Sequence, residues 1–281
     1  MDAEYRSTIH VRGWSALVIG FLTVAALVSL TPLWWMVVTS LTKPELTLEF
    51  PPKLLPIPAT LRNFASVIAF GQMARWFLNT VLVSVTVTVL SVFLASMAGY
   101  ALAKKTFPGS NLFLWLYIAS MMIPSQVALV PRYMLVSKLG LIDTYWVLIL
   151  PQLASASSAF MVKQYMTSLP TALIESGVID GAGEWKIYTT IIFPLAMQGL
   201  AVLIVMTFTG EWNSFIWVLI STNSLKMRNL QAGLTYMQEL YPMRYADVMA
   251  ASTLSAVPMF IVFFSLQRYF LKGITVGAIK G

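Results

Sequence analysis

Glu211 is the only charged residue between positions 187 and 225 of this 281-residue chain. An ionisable group in apolar surroundings is a functional hypothesis by default, because such groups bind protons, cations or polar cargo. Its competing role is structural: a carboxylate in a polar gap between helices, hydrogen-bonded to a neighbour such as Asn213. Gln152, Ser155, Ser157 and Ser158, and further on Ser252 and Ser255, are the other polar residues set in apolar sequence. They suit either the lining of a hydrated pathway or close helix contacts. Cysteine is absent and His10 is the one histidine. That removes thiol chemistry, disulfides and thiolate metal sites, and it leaves no Ser–His pair within the apolar sequence. No metal site is expected, and His10 reads as a solvated residue of the N-terminal tail. The sequence has no Gly-Lys dipeptide and therefore no Walker A loop for nucleotide phosphates. If ATP drives this protein, hydrolysis belongs to another chain. A membrane-embedded enzyme would also lack paired carboxylates.

The elements that hold these residues must be membrane helices. Hydrophobic residues make up 58% of the chain and charged residues 10%, against roughly 45–50% and about 25% in soluble domains. So little charge cannot cover a soluble surface of this size. The net charge of +7 fits juxtamembrane Lys and Arg, and without a basic block interleaved with aromatics no nucleic-acid partner is expected. A span needs about 20 mostly apolar residues. Six stretches qualify, at about 14–39, 76–103, 111–131, 144–163, 196–220 and 248–268, and Pro124 and Pro131 are placed to kink or end the third. The first is too long for a signal peptide's apolar core. The fold class is all-α: a polytopic membrane protein with six transmembrane helices in one domain over 1–281. Lys and Arg divide evenly between the two sides, and only the basic loop after Lys104 and Lys105 tips the N-terminus toward the cytoplasm.

Three connections are long. Residues 43–75 begin Pro-rich and then place Leu61, Phe64 and Ile68 near helical spacing, as in a helix lying at the bilayer interface. Residues 221–247 suit a loop with a short helix. Residues 163–194 carry Lys163, Glu175, Asp180, Glu184 and Lys186, too much charge to cross hydrocarbon. A helix is expected from Pro170, with Leu173, Gly177 and Gly181 in one apolar or small stripe beside Ile174, Val178 and Ala182. Glu175, Ser176 and Asp180 lie opposite. Gly181 and Gly183 permit a sharp turn. A second helix then runs from Glu184 to Phe193 ahead of Pro194.

The order of residues in this loop is more specific than its amphipathicity. Glu175-Ser176-Gly177, then Gly181, then Ile191 and Pro194 resembles the EAA motif of ABC importer permeases, with Ser-Gly in place of Ala-Ala and Phe193 in place of the last Leu. Glu211-Trp212-Asn213 resembles the EWN segment of carbohydrate-type permeases. The tail through Lys272-Gly273 and Gly277 to Lys280 resembles the C-terminus of the maltose-type "G" subunits. The resemblance spans essentially the whole chain. It implies a type I importer transmembrane domain in a bacterial inner membrane, with both termini cytoplasmic. A cytoplasmic coupling loop at about 164–195 would bear Glu175, Ser176, Gly177, Asp180, Gly181, Ala182, Gly183 and Pro194. A tail at 269–281 with Lys272, Gly273, Gly277 and Lys280 would dock on the ATPase. Implied partners are a homologous second permease, an ABC ATP-binding dimer, an extracytoplasmic solute-binding protein and the lipid bilayer. ATP and magnesium would be held by the ATPase, with no cofactor in this chain. The solute would be a sugar or a related compound, with Gln152, Ser155, Glu211, Asn213, Ser252 and Ser255 along its path. The alternative is an ion-gradient-driven secondary transporter that uses Glu211.

Overall fold

Apolar sequence without β-turn punctuation folds as helices, and every regular element among the described residues is one. The computed structural model describes residues 2–47, 49–240 and 244–278; side chains are described from 15 to 265 and at 267. In chain order the helices are α1 Asp2–Leu41, α2 Arg62–Ala69, α3 Met73–Lys104, α4 Ser110–Met121, α5 Leu129–Lys138, α6 Tyr145–Leu153 and α7 Ala156–Thr167. They continue as α8 Ala172–Ile179, α9 Glu184–Ile187, α10 Phe193–Trp212, α11 Ile216–Ser221, α12 Leu230–Leu240 and α13 Tyr245–Ala278.

Four helical stretches are long and apolar enough to cross a membrane: Ser15–Leu41, Met73–Lys104, Glu184–Trp212 and Tyr245–Ser265. The pair α6 and α7, bent by 41°, is long and apolar enough only when taken together, as a broken span or a re-entrant loop. The expected span at 111–131 is not continuous. Its helix, α4, has 12 residues, about 18 Å at 1.5 Å per residue, whereas the hydrocarbon core is about 30 Å thick. Pro124 disfavours helix at the residue before it, and a turn there bonds Val127 N–H to the Pro124 carbonyl at 3.0 Å. Pro131 falls in the first turn of α5, where its missing N–H does no harm.

Two further boundaries differ from the sequence reading. The helix expected over Glu184–Phe193 is not separate from the next span. A π-helical turn at Tyr188–Ile192 joins α9 to α10, so the span begins at Glu184. The same span ends at Trp212 rather than at 220: Asn213 makes the last helical bond, to the Thr209 carbonyl, and itself leaves the helical backbone angles at φ −92°, ψ 8°.

By contacts the chain divides into two compact units. One takes in the chain up to Phe70 and Met237–Leu254; the other takes in Gly71–Tyr236 and the chain from Ser255 on. In the first, Asn63 is fully buried and donates from Nδ2 to the Ser40 and Thr42 carbonyls, at 2.8 and 2.7 Å. That satisfies the end of α1, whose last carbonyls have no partner within the helix. The buried face of α2 is therefore Asn63 and Val67, while Leu61 and Ile68 point outward. Asp247 in the first turn of α13 is 5% exposed; it accepts from Ser66 Oγ and pairs with Arg244 Nε at 2.8 Å.

In the second unit α3 is the helix on which α6, α7 and α10 pack. One core cluster gathers Val162 and Met166 of α7, Ile187, the π-turn residues Tyr188 and Ile192, and Leu200 around Tyr100. The other gathers Val83 and Val87, Val147 and Leu148, and Trp217. The stretch after α11 is strapped to the start of α3: Trp76 Nε1 donates to the Leu225 carbonyl, and Asn79 Nδ2 to those of Lys226 and Arg228, each at 2.8 Å.

Candidate functional site

Two places in the second unit gather the residues singled out in the sequence. The first is the segment from Thr167 to Pro194. Here α8 starts at Ala172, two residues after Pro170, and Thr171 precedes it. Ile174 and Gly177 are its buried residues. A β-carbon on Gly177 would lie 3.0 Å from Ile191 Cδ1 and 3.2 Å from Ile187 Cγ1, so the small residue lets α8 lie flat on the turn that leads into α10. The expected apolar stripe divides. Ile174 and Gly177 are buried, whereas Leu173 and Val178 are 36% and 56% exposed; Ile179, outside the expected stripe, is 84% exposed.

Glu175, Ser176 and Asp180 are exposed beside these apolar side chains. Among the described residues nothing pairs with the Glu175 carboxylate. Asp180 closes the helix, and Gly181 takes φ +71°, a conformation in which glycine has no β-carbon penalty. Ala182 N–H then bonds the Gly177 carbonyl at 2.9 Å; with positive φ at Gly181 this is the arrangement that ends many helices. Gly183 is extended, with open space where a β-carbon would go. Pro194 is the second residue of α10, directly after the π-turn that joins it to α9. The segment thus presents an outward face that is apolar, acidic and unpartnered, on a turn of fixed geometry.

The second place is a cavity of 300 Å³ lined by Ser91, Gln152, Ser155, Ser157, Ser158 and Glu211, among others. It opens where α6 breaks into α7. Pro151 lies in α6, and Ala154 and Ser155 are extended. The Ser155 hydroxyl restarts the helix by accepting the Ser158 N–H at 3.2 Å. Broken helices expose backbone polar groups, which at membrane depth are found facing protein or a wet cavity. Glu211 also borders a small enclosed gap with Thr80, Ser214, Trp217 and Asn229.

Other expected pathway residues lie elsewhere. Asn213 is exposed and donates to the Thr209 carbonyl. Ser255 is buried, with its carbonyl accepting the Trp212 indole N–H at 3.2 Å. Ser252 belongs to the first unit. Lys272, Gly273 and Gly277 fall on α13, which runs on to Ala278 where a separate tail is expected from 269; Lys280 lies outside the described residues. Ser91 and Thr207 of the lining escape sequence reasoning, because a hydroxyl inside a continuous apolar helix looks like any helix contact.

Residues 91–276 match the family described as "Binding-protein-dependent transport system inner membrane component". The chain belongs to that family. It is 35% identical to the arabinooligosaccharides transport system permease protein AraQ of Halalkalibacterium halodurans, over 98% of this chain and 99% of that one. It is 31% identical to the sn-glycerol-3-phosphate transport system permease protein UgpE of Yersinia pestis, over 90% and 93%. The fold matches, at TM-score 0.82 and 21% identity, a chain of a bacterial ABC transporter involved in the import of the acidic polysaccharide alginate; the match covers 92% of this chain and 97% of that one. The permease is thus a membrane-embedded transport subunit of an ABC importer. Membership implies an ATPase and a solute-binding protein as partners.

Proposed function

We propose that this permease carries a neutral, polyhydroxylated solute of the sugar class. It would pair with a second, homologous permease, and a dimer of ATP-binding subunits would hold the ATP and magnesium. The termini and the α8 segment would face the cytoplasm, and an extracytoplasmic binding protein would deliver the solute. The observation that carries the coupling role is the outward face of α8, where Ile179 at 84% exposure lies beside Glu175 and Asp180, whose carboxylates have no partner among the described residues. Apolar side chains grouped on an exposed face mark a contact with protein or membrane, and the two acids beside them favour protein.

The solute class rests on the cavity beside Glu211. Serine hydroxyls and the Gln152 amide both donate and accept, as sugar hydroxyls require. No Lys or Arg is among the lining, and the one charged side chain is a carboxylate. That chemistry favours a neutral sugar, in keeping with the arabinooligosaccharides in one relative's name, over a phosphate ester, as in the other's. An ion-gradient mechanism finds no support in the family.

The test is reconstitution of this chain in proteoliposomes with its co-purifying permease, ATPase and binding protein. ATP-dependent uptake of a neutral oligosaccharide is the expected result. Uptake that survives inactivation of the ATPase but disappears in Glu211→Gln would reverse the assignment in favour of an ion gradient.

A further inference from the structure

Lys104 and Lys105 end α3, the helix on which the second unit packs. The two adjacent side chains go to opposite flanks of α8. Lys104 Nζ donates to the Leu169 carbonyl, in the turn between α7 and α8, with longer contacts to the Thr167 carbonyl and Thr171 Oγ1. Lys105 Nζ pairs with the Glu184 carboxylate at 2.6 Å, at the first residue of α9. Tyr100, one turn back on α3, donates its hydroxyl to the same carboxylate at 3.3 Å, and Lys105 Nζ lies 5.4 Å from the centre of the Tyr100 ring. The segment from Thr171 to Gly183 is therefore held before and after by consecutive residues of one helix end.

We propose that Lys104 and Lys105 are positioning residues that tie both flanks of the α8 segment to the end of α3, so that a displacement of α8 is carried into α3. This deepens the coupling reading above and rests on it.

Three observations favour a mechanical role over a merely stabilising one. The Lys105–Glu184 pair lies at the surface, with side-chain exposures of 29% and 64%, and pairs of that kind contribute little to folding. A cation accepted by the carbonyls at a helix end gives a directional hold, as a lysine can at a C-terminus. The third is the course of the chain. Between Leu169 and Glu184 the described contacts of α8 run mainly through Ile174 and Gly177 to the π-turn region, so without the lysines the segment would hinge on that one patch. Burial pulls the Lys105 amine down, but its contacts with Glu184 and Tyr100 outweigh that and hold it above the usual lysine range, so it stays charged at any working pH.

The test uses the complete transporter in proteoliposomes, reading solute moved per ATP hydrolysed for wild type, Lys105→Glu, Glu184→Lys and the double swap. Each single reversal is expected to lower the ratio by about tenfold, within the range of ordinary coupling between sites, and the swap to restore most of it. Lys104→Met is expected to lower the ratio and Lys104→Arg to keep it. Tryptophan-fluorescence melting of each purified variant reports folding; should a reversal fail to fold, Lys105→Gln against Lys105→Arg makes the same comparison. A wild-type ratio in the single reversals, or a swap no better than they are, overturns the brace. A wild-type transporter that moves no solute on ATP defeats the coupling reading itself, and the brace with it.

Discussion

Gly99 of α3 and Val162 of α7 meet so closely that a β-carbon on the glycine would lie 2.7 Å from Val162 Cγ1 and 2.9 Å from the backbone nitrogen of Lys163. A side chain can swing away from such an approach, but a backbone cannot. Gly99→Ala would gain about 1 kcal/mol of helix propensity, yet forcing apart the crossing of α3 and α7 costs about 1–3 kcal/mol. The expected net result is a lower melting temperature, read by tryptophan fluorescence in detergent. A rise would mean that the two helices separate freely.

Gly177 and Gly181 stand four residues apart in sequence but are required for different reasons: Gly177 for space and Gly181 for its backbone angle. At Gly177 the nearest atoms are Ile191 Cδ1, a side-chain end, and Ile187 Cγ1, side-chain atoms that need yield by only a few tenths of an ångström. Gly177→Ala is expected to leave stability and uptake near wild type, and Gly177→Leu to displace α8. At Gly181 a β-carbon meets nothing within 4 Å, but φ is +71°. Gly181→Val therefore carries only backbone strain, about 1–2 kcal/mol, in the isolated chain. Retained membrane insertion with lost uptake is the expected outcome, and normal uptake by Gly181→Val would show that no partner closes on this turn.

Asp143 sits between α5 and α6 at φ +62°, and its Oδ1 accepts the N–H of Asn223 and Ser224 and the Ser224 hydroxyl, at 2.9–3.1 Å. Burial pushes this carboxyl up, but the three donors outweigh it and hold it below the usual carboxylate range. A depressed carboxylate stabilises the fold at pH values above its unfolded pKa, near 4, and that contribution is lost as pH falls further through the folded value. Asp143→Asn, which tolerates positive φ, is expected to cost about 1–2 kcal/mol at neutral pH and to flatten the fall in stability between about pH 5 and 3. A melting curve whose acid limb is the same in Asp143→Asn would exclude the residue as its source.

Glu175 has no partner among the described residues, so Glu175→Ala should leave the melting temperature of the isolated permease unchanged. In the assembled transporter a desolvated pair with an ATPase cation would be broken, at a cost of about 2–5 kcal/mol, whereas an exposed one would lose about 0–1 kcal/mol. Weaker ATPase retention and lower uptake per ATP are expected, more severe in Glu175→Lys. Absence of coupling energy with every ATPase residue in double-mutant cycles would leave Glu175 a solvated surface charge.

Four long apolar helices were legible because hydropathy counts what lipid requires, and the turn at Gly181 was legible because positive φ selects glycine. The break at Pro124 was visible as a proline, but a count of uncharged residues passes straight through it. Asn63 could not be found this way. A buried amide that closes another helix's carbonyls looks polar in sequence and belongs to the core only once α1 and α2 are in place. Lys104 and Lys105 were visible as a charge count that bears on orientation; their separate targets, Leu169 and Glu184, lie 65 and 79 residues further along the chain, beyond any local periodicity.

The π-turn at Tyr188–Ile192 holds one residue more than an α-helical turn of the same place would. Each residue of an α-helix advances the chain by about 100° and 1.5 Å, so the extra residue acts as a phase setting between α10 and everything that precedes it. With the turn relaxed to a regular helix by loss of one residue, the azimuth of Glu175 and Ile179 about the α10 axis would change by about 100°. The direction in which the exposed face of α8 points about α10 is in that sense set by one residue of the π-turn, separately from the residues that make up that face.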